Sequence, residues 1–198
     1  MLVAEQLRHE TSQELSLAPQ LLEKSYENTE AMLHALHLAA RQYPLAYSYG
    51  HRSFDVNAKR EMFNHRHMQL YGIGVGKQLL AGMALYVPPR HRSIFGEEAA
   101  MLSYLIRLKN TGYDSSIKGV GKLLLIRAVT EVLDQDKEQL KVDVVSSNKP
   151  ARQLYECAGF RPGQLSHLKN ESARILHMSL QGQPSLHRAK NTLEGETQ

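Results

Sequence analysis

An α/β domain is what this sequence predicts, on three observations. Met68 to Val87 carries two apolar runs separated by Gly76-Lys77, as two strands joined by a tight turn would. Gly121 to Asp134 has helical periodicity, with Leu124, Leu125, Ala128, Val129, Val132 and Leu133 on one broad apolar stripe. Lys141 to Ser147 then supplies Val142, Val144 and Val145, the composition of a buried strand. Strands and amphipathic helices that follow one another in this way bury their apolar faces by packing helices on a sheet.

Taken in order, the chain has a helical front and an alternating back. From Leu21 to Arg41 the residues Leu22, Met32, Leu33, Leu36 and Ala40 recur at helical spacing, with Asn28 or Thr29 placed to cap and Pro44 to terminate. Asp55 to Asn64 is a second short helix with Asp55 at its start. Ala46 to Phe54, rich in Tyr, His and Ser, has no clear period. Gly72, Gly74 and Gly76 alternate along the first hairpin strand. No helix follows them, so they read as strand glycines rather than a phosphate loop. Met101 to Lys109 (MLSYLIRLK) adds a third strand, and Asn110 to Ser115 a loop.

Asn148-Lys149-Pro150 opens another helix, with proline in the first turn where its missing N–H does no harm. Ala151, Leu154, Tyr155 and Ala158 share a face, and Gly159 is a natural stop. Arg174 to Leu180 reads as the last strand, and the polar stretch 181–198 as a flexible tail. The expected organisation is one domain over residues 1–180, of which 1–66 form the helical front, followed by that tail.

Composition bounds the function. A chain of 198 residues suits one domain with a real core. The single cysteine, Cys157, excludes a disulfide within the chain and points to a reduced, cytoplasmic setting. Met1 to Ser12 has no basic segment leading into an apolar core, so no signal peptide is expected, and no apolar run is long enough for a bilayer. A net charge of +4 is too mild to argue for nucleic acid. Arg90-His91-Arg92 after Pro88-Pro89 reads as a solvated turn. His34/His37 and His65/His67 are spaced as metal-ligand pairs, but neither has a third ligand, and no metal is expected.

The chemistry concentrates between Ser116 and Phe160. Gly119 and Gly121 let the backbone turn closely at a helix start, where free N–H groups and the helix dipole suit a pyrophosphate. Lys118 and Lys122 add positive charge there. Glycine turns before helices are common, so this signal is weak alone. Tyr155, with an ordinary pKa of about 10, is an acid at neutral pH, or simply a packed helix tyrosine. Asn148 can meet an amide-bearing ligand or cap its helix.

The ordered series is more specific than its parts. Ser116-Ile117-Lys118-Gly119-Val120-Gly121 resembles the Gln/Arg-x-x-Gly-x-Gly/Ala loop of the GCN5-related N-acetyltransferase (GNAT) family. Asn148, Ala151, Leu154, Tyr155, Gly159 and Phe160 match that family's Asn-x-x-Ala-x-x-Leu-Tyr-x-x-x-Gly-Phe pattern. The resemblance covers about the last half of the chain and implies a mixed, mostly antiparallel sheet flanked by helices. It further implies acetyl-CoA as cofactor, lying between two splayed strands, Met101–Lys109 and Lys141–Ser147. The backbone of Ser116, Ile117, Lys118, Gly119, Val120, Gly121 and Lys122 would cradle the pyrophosphate. Strand backbone at Ile106, Arg107 and Leu108 would pair with the pantetheine arm, near Asn148. Tyr155 would protonate the leaving thiolate after direct attack by a primary amine, through a tetrahedral intermediate that needs an N–H donor.

Two departures stand out. Ser116 replaces the long polar residue that opens the family's loop, and Met101–Lys109 holds no carboxylate to serve as base. Glu98 is the candidate base, with Glu97 and His91 as alternatives. A weak or inactive acyl-CoA-binding regulatory module is the other reading these departures allow. The acceptor, a small-molecule amine or an amine on a peptide or protein, is left open. So is oligomeric state, a homodimer included.

Overall fold

The structure, a computed structural model, describes residues 16–23, 25–42, 55–75, 78–89, 99–108, 119–167 and 174–195. Seven strands form one sheet: β1 (Ser16–Leu22), β2 (Met68–Val75), β3 (Gln78–Tyr86), β4 (Ala99–Arg107), β5 (Gln139–Val145), β6 (Arg161–His167) and β7 (Arg174–Gln181). Their spatial order is β1-β2-β3-β4-β5-β7-β6, and every neighbouring pair is antiparallel except β4 with β5. The described residues also form five helices: α1 (Tyr26–Gln42), α2 (Val56–Asn64), α3 (Val120–Asp134), α4 (Lys149–Cys157) and α5 (Gln183–Gly195). This is the mixed, mostly antiparallel α/β sheet expected.

Each face of the sheet buries its own cluster. On one, α3, α4 and α5 cover Tyr71, Met83, Leu85, Leu102, Leu140 and Met178. Leu124, Leu125, Ala128, Val129 and Val132 of α3 are fully buried there. Each Leu or Val so removed from water contributes about 1.5–3 kcal/mol. Tyr71 of β2 ties α3 to the sheet: its hydroxyl donates to Glu131 Oε2 at 2.8 Å, and Arg127 donates to the same oxygen at 2.9 Å. On the other face, Met32 and Leu36 of α1 and Phe63 of α2 pack on Leu70, Ala84 and Ile106.

The parallel β4–β5 pair is short, and a bulge explains why. Pairing runs from Ala99↔Gln139 to Leu102↔Val142 and stops there, although β4 continues to Arg107 and β5 to Val145. At the same level the β3–β4 register passes from Leu85↔Leu102 to Ala84↔Tyr104, leaving Ser103 unopposed. An extra residue bends its strand and sharpens the local twist. It also exchanges the faces beyond it. Leu102 belongs to the α3-side cluster, whereas Tyr104, two residues on, packs on the α1 side. The two central strands therefore part after Leu102 and Val142.

Four expectations are corrected. Leu22 lies in edge strand β1, not in the front helix. That helix begins at Tyr26, with Ser25 Oγ accepting from the N–H of Asn28 at 3.1 Å in place of a cap at Asn28 or Thr29. Arg161–His167 is an additional edge strand. Gln183–Gly195, expected to be flexible tail, is helix α5, because Leu186, Ala189 and Leu193 recur on one face and are buried against the α3-side cluster. The turn at Gly76-Lys77, the loop Asn110–Ser115, Ala46–Phe54 and Arg90–Arg92 lie outside the described residues.

Candidate active site

The parting of β4 and β5 creates an opening whose walls are backbone. Leu108 donates its N–H to Leu80 O on β3 at 2.9 Å, and Arg107 stands opposite Ala81. Hydrogen-bonding direction alternates along an antiparallel ladder, so Arg107 turns its N–H and C=O away from β3 and toward the opening. The neighbouring side chains leave through the sheet faces: Ile106 is buried in the α1-side cluster, Leu108 is buried there too, and Arg107 is exposed.

The N-terminus of α3 lies where the chain returns from β4. Gly119 caps it in the left-handed conformation, φ 83° and ψ 0°, and, being glycine, offers no side chain as a cap. Intrahelical bonding begins with the Leu123 N–H to Gly119 O at 3.0 Å. First-turn amides and the helix dipole make such a helix start suited to an anion. Val120 is buried, fixing the turn to the core. Gly121 brings the turn close to Leu154 of α4: a Cβ there would stand 3.4 Å from Leu154 Cδ2 and 3.9 Å from Leu105 Cδ2. Ser116, Ile117, Lys118 and the candidate base Glu98 lie outside the described residues.

Helix α4 carries the other motif. Asn148 Oδ1 accepts from the Ala151 N–H at 3.3 Å, so its side-chain oxygen caps the helix. Tyr155 is buried in the α3-side cluster, with its ring 5.5 Å from that of Phe160. Gly159, at φ 86°, closes the helix and lets Phe160 fold back onto Tyr155. Tyr155 and the α3 turn thus meet through Leu154 and the shared cluster, and Asn148 stands at the start of the same α4 helix.

Two polar groupings escaped the sequence reading, and both lie on the α1 face. Lys59 of α2 donates through Nζ to the hydroxyl of Tyr104, in the stretch of β4 beyond the bulge. Burial holds the Lys59 ammonium below the ordinary lysine range, with Asp55 opposing, and pushes the Tyr104 hydroxyl up to about 12. The second grouping is Asp143 on β5, His177 on β7 and Ser166 on β6. His177 Nδ1 lies 2.6 Å from Asp143 Oδ1, and Nε2 lies 2.8 Å from Ser166 Oγ. The signal for it was a single acidic residue inside the valine-rich strand KVDVV. Among the described residues no cluster of three or more His, Cys, Asp or Glu could hold a metal ion, and no helix is long and apolar enough to cross a membrane.

No family model and no curated protein matches the chain by sequence. Solved structures do match its fold. A GNAT-family structure from Desulfovibrio desulfuricans superposes with a TM-score of 0.59 at 13% identity, over 83% of this chain and 98% of that one. The ribosomal-protein-S18-alanine N-acetyltransferase of Escherichia coli gives 0.60 at 15% identity, over 82% and 93%. The NatC complex bound to Gag peptide and CoA gives 0.59 at 13% identity, over 83% and 97%.

Proposed function

We propose that this chain, whose GNAT-like fold is shared with solved acetyltransferase structures, transfers an acetyl group from acetyl-CoA to a primary amine. The observation that supports this reading is the opening after Leu102 and Val142, with the Gly119-capped N-terminus of α3 packed against the Asn148–Tyr155 helix. The residues fit an acyl-CoA. Among the described residues nothing lies within 4 Å of where a Cβ on left-handed Gly119 would stand, in keeping with close approach of a diphosphate.

Acetyl-CoA would supply an acyl group activated as a thioester. The amides of Gly119 to Lys122, continuing the Ser116–Lys118 segment, would hold its pyrophosphate. The backbone of Arg107 would orient the pantetheine arm, which puts the thioester between β4 and β5. Tyr155 would act as the acid, giving a proton to the sulfur as the C–N bond forms and the C–S bond breaks. Its burial removes competing water from that transfer.

The test is CoA release from acetyl-CoA over a panel of a polyamine, a lysine peptide and an alanine-initiated peptide. Turnover with one class, lowered at least tenfold in Tyr155→Phe while CoA affinity is kept, is the expected result. CoA binding without turnover on any acceptor would favour the regulatory module instead.

A further inference from the structure

The proposed acyl transfer takes a proton from the attacking amine, and one wall of the opening carries a pair of groups able to receive it. Leu102 is the last β4 residue paired with β5, and Tyr104 is the first β4 residue beyond it to pack in the α1-side cluster. Tyr104 therefore stands between the parting of the strands and Arg107, whose backbone faces the gap. Helix α2 meets it there. The Phe63 ring stands edge-on to the Tyr104 ring at 6.0 Å. One turn earlier Lys59 Nζ is hydrogen-bonded to the Tyr104 hydroxyl and lies 5.0 Å from the ring centroid. Both side chains are half-buried, so neither is sealed from a solvent-borne amine.

The chemistry of the pair suits proton uptake. A buried lysine gives up its charge readily, and its neutral nitrogen has a lone pair that can accept from a hydroxyl. Burial favours the neutral amine at Lys59, with Asp55 one turn back opposing, and keeps Tyr104 a phenol able to donate. Of the neighbouring charged groups, Arg60 of α2 is paired with Glu30 of α1 at 2.6 Å. Asp143, the first β5 residue past the parting, is held by His177 at 2.6 Å. The two faces also divide the work. Tyr155, the proposed acid, belongs to the α3-side cluster. Nucleophile and leaving group take different corners of a tetrahedral carbon. With the sulfur met from the α3 face, the amine enters from the α1 face, where Tyr104 stands.

We infer that Tyr104 and Lys59 are the proton-accepting pair for the incoming amine. This rests on the acetyl-transfer reading and supplies the base that reading requires. The acceptor's ammonium gives a proton to Tyr104 Oη as the Tyr104 hydroxyl proton passes to Lys59 Nζ. The amine is left neutral and able to attack, and Lys59 becomes an ammonium hydrogen-bonded to Tyr104. Water then takes the proton from Nζ. No covalent bond forms at either residue. Tyr104 touches the amine; Lys59 acts through it and is a positioning residue.

The experiment compares wild type with Lys59→Arg, Lys59→Ala and Tyr104→Phe. It uses acetyl-CoA calorimetry and CoA-release kinetics with spermidine, a lysine peptide and an alanine-initiated peptide. Arginine keeps a cation and donors beside Tyr104 but cannot take up a proton. Lys59→Arg should therefore lower kcat by about 100-fold or more at unchanged acetyl-CoA affinity, and Tyr104→Phe should do the same. Trimethylamine, a tertiary amine that forms no stable amide, should restore at least about tenfold of the loss in Lys59→Ala, which a merely structural role for Lys59 would not allow. Lys59→Arg or Tyr104→Phe within about twofold of wild type, or a Lys59→Ala loss that trimethylamine leaves unchanged, overturns the inference and leaves the acetyl-transfer reading standing. Wild-type protein that binds no acetyl-CoA, or turns over no acceptor, overturns both.

Discussion

Two glycines two residues apart, Gly119 and Gly121, should respond to alanine with opposite signs. Gly119 sits at φ 83°, where an L-residue loses roughly 1–2 kcal/mol to contact between Cβ and its own backbone. Among the described residues nothing else would meet that Cβ within 4 Å, so the cost counted here is conformational. Alanine also restricts the unfolded chain, which returns about 0.4–1 kcal/mol. The net loss for Gly119→Ala is therefore about 1 kcal/mol, and Gly119→Asn, which tolerates the left-handed region, should recover much of it. Gly121 lies inside α3, and a Cβ there would make ordinary contact with Leu154 at 3.4 Å. Gly121→Ala should be neutral or stabilising by up to about 1 kcal/mol. Urea unfolding reads the stability, and acetyl-CoA calorimetry should show weaker binding in Gly119→Ala by up to about tenfold, since 1.4 kcal/mol corresponds to tenfold. Equal stability of Gly119→Ala and wild type, or a larger loss at Gly121 than at Gly119, would refute this account of the turn.

Other consequences are as concrete. Leu186 of α5 is fully buried against the α3-side cluster, so Leu186→Asp should cost at least about 3 kcal/mol and release α5 to proteolysis; a resistant, fully stable variant would mean α5 does not pack as described. Tyr104 should ionise near pH 12 rather than 10, visible as the late part of the tyrosinate absorbance that Tyr104→Phe removes. Its folded pKa is raised, so the associated stability is present below pH 10 and lost as pH rises through 12, a term on the order of 2–3 kcal/mol. Ordinary titration of every tyrosine would contradict the burial of this hydroxyl.

The sheet centre and the α3–α4 unit could be read from sequence because their residues carry strong local signals. The hairpin's apolar runs, the α3 stripe and the Asn148-Lys149-Pro150 start each specify an element without help from the rest of the chain. The edges could not. β1 and β6 contain Pro19 and Pro162, residues an edge strand accepts and a central strand does not, and neither shows a clear alternation of burial. In α5, Gly182 and Pro184 look like turn residues. They are the left-handed entry and the first-turn proline of a helix whose apolar face has only Leu186, Ala189 and Leu193.

The site divides the same way. Gly119, Gly121, Asn148 and Tyr155 were marked by spacing. The bulge at Ser103, which exchanges the faces of β4 and opens the sheet, leaves no mark in MLSYLIR. Asp143, His177 and Ser166 are brought together only by the β5–β7–β6 register, so no linear pattern could have joined them.

The central claim is that an acyl-CoA occupies the opening between β4 and β5 with its diphosphate on the first turn of α3. Backbone amide NMR during a titration with CoA tests it most directly. The account predicts saturable shifts at Gly119, Val120, Gly121, Lys122 and Arg107, with the amides of edge strand β1 unmoved. Saturation with shifts confined elsewhere, or no shifts at millimolar CoA, would contradict it.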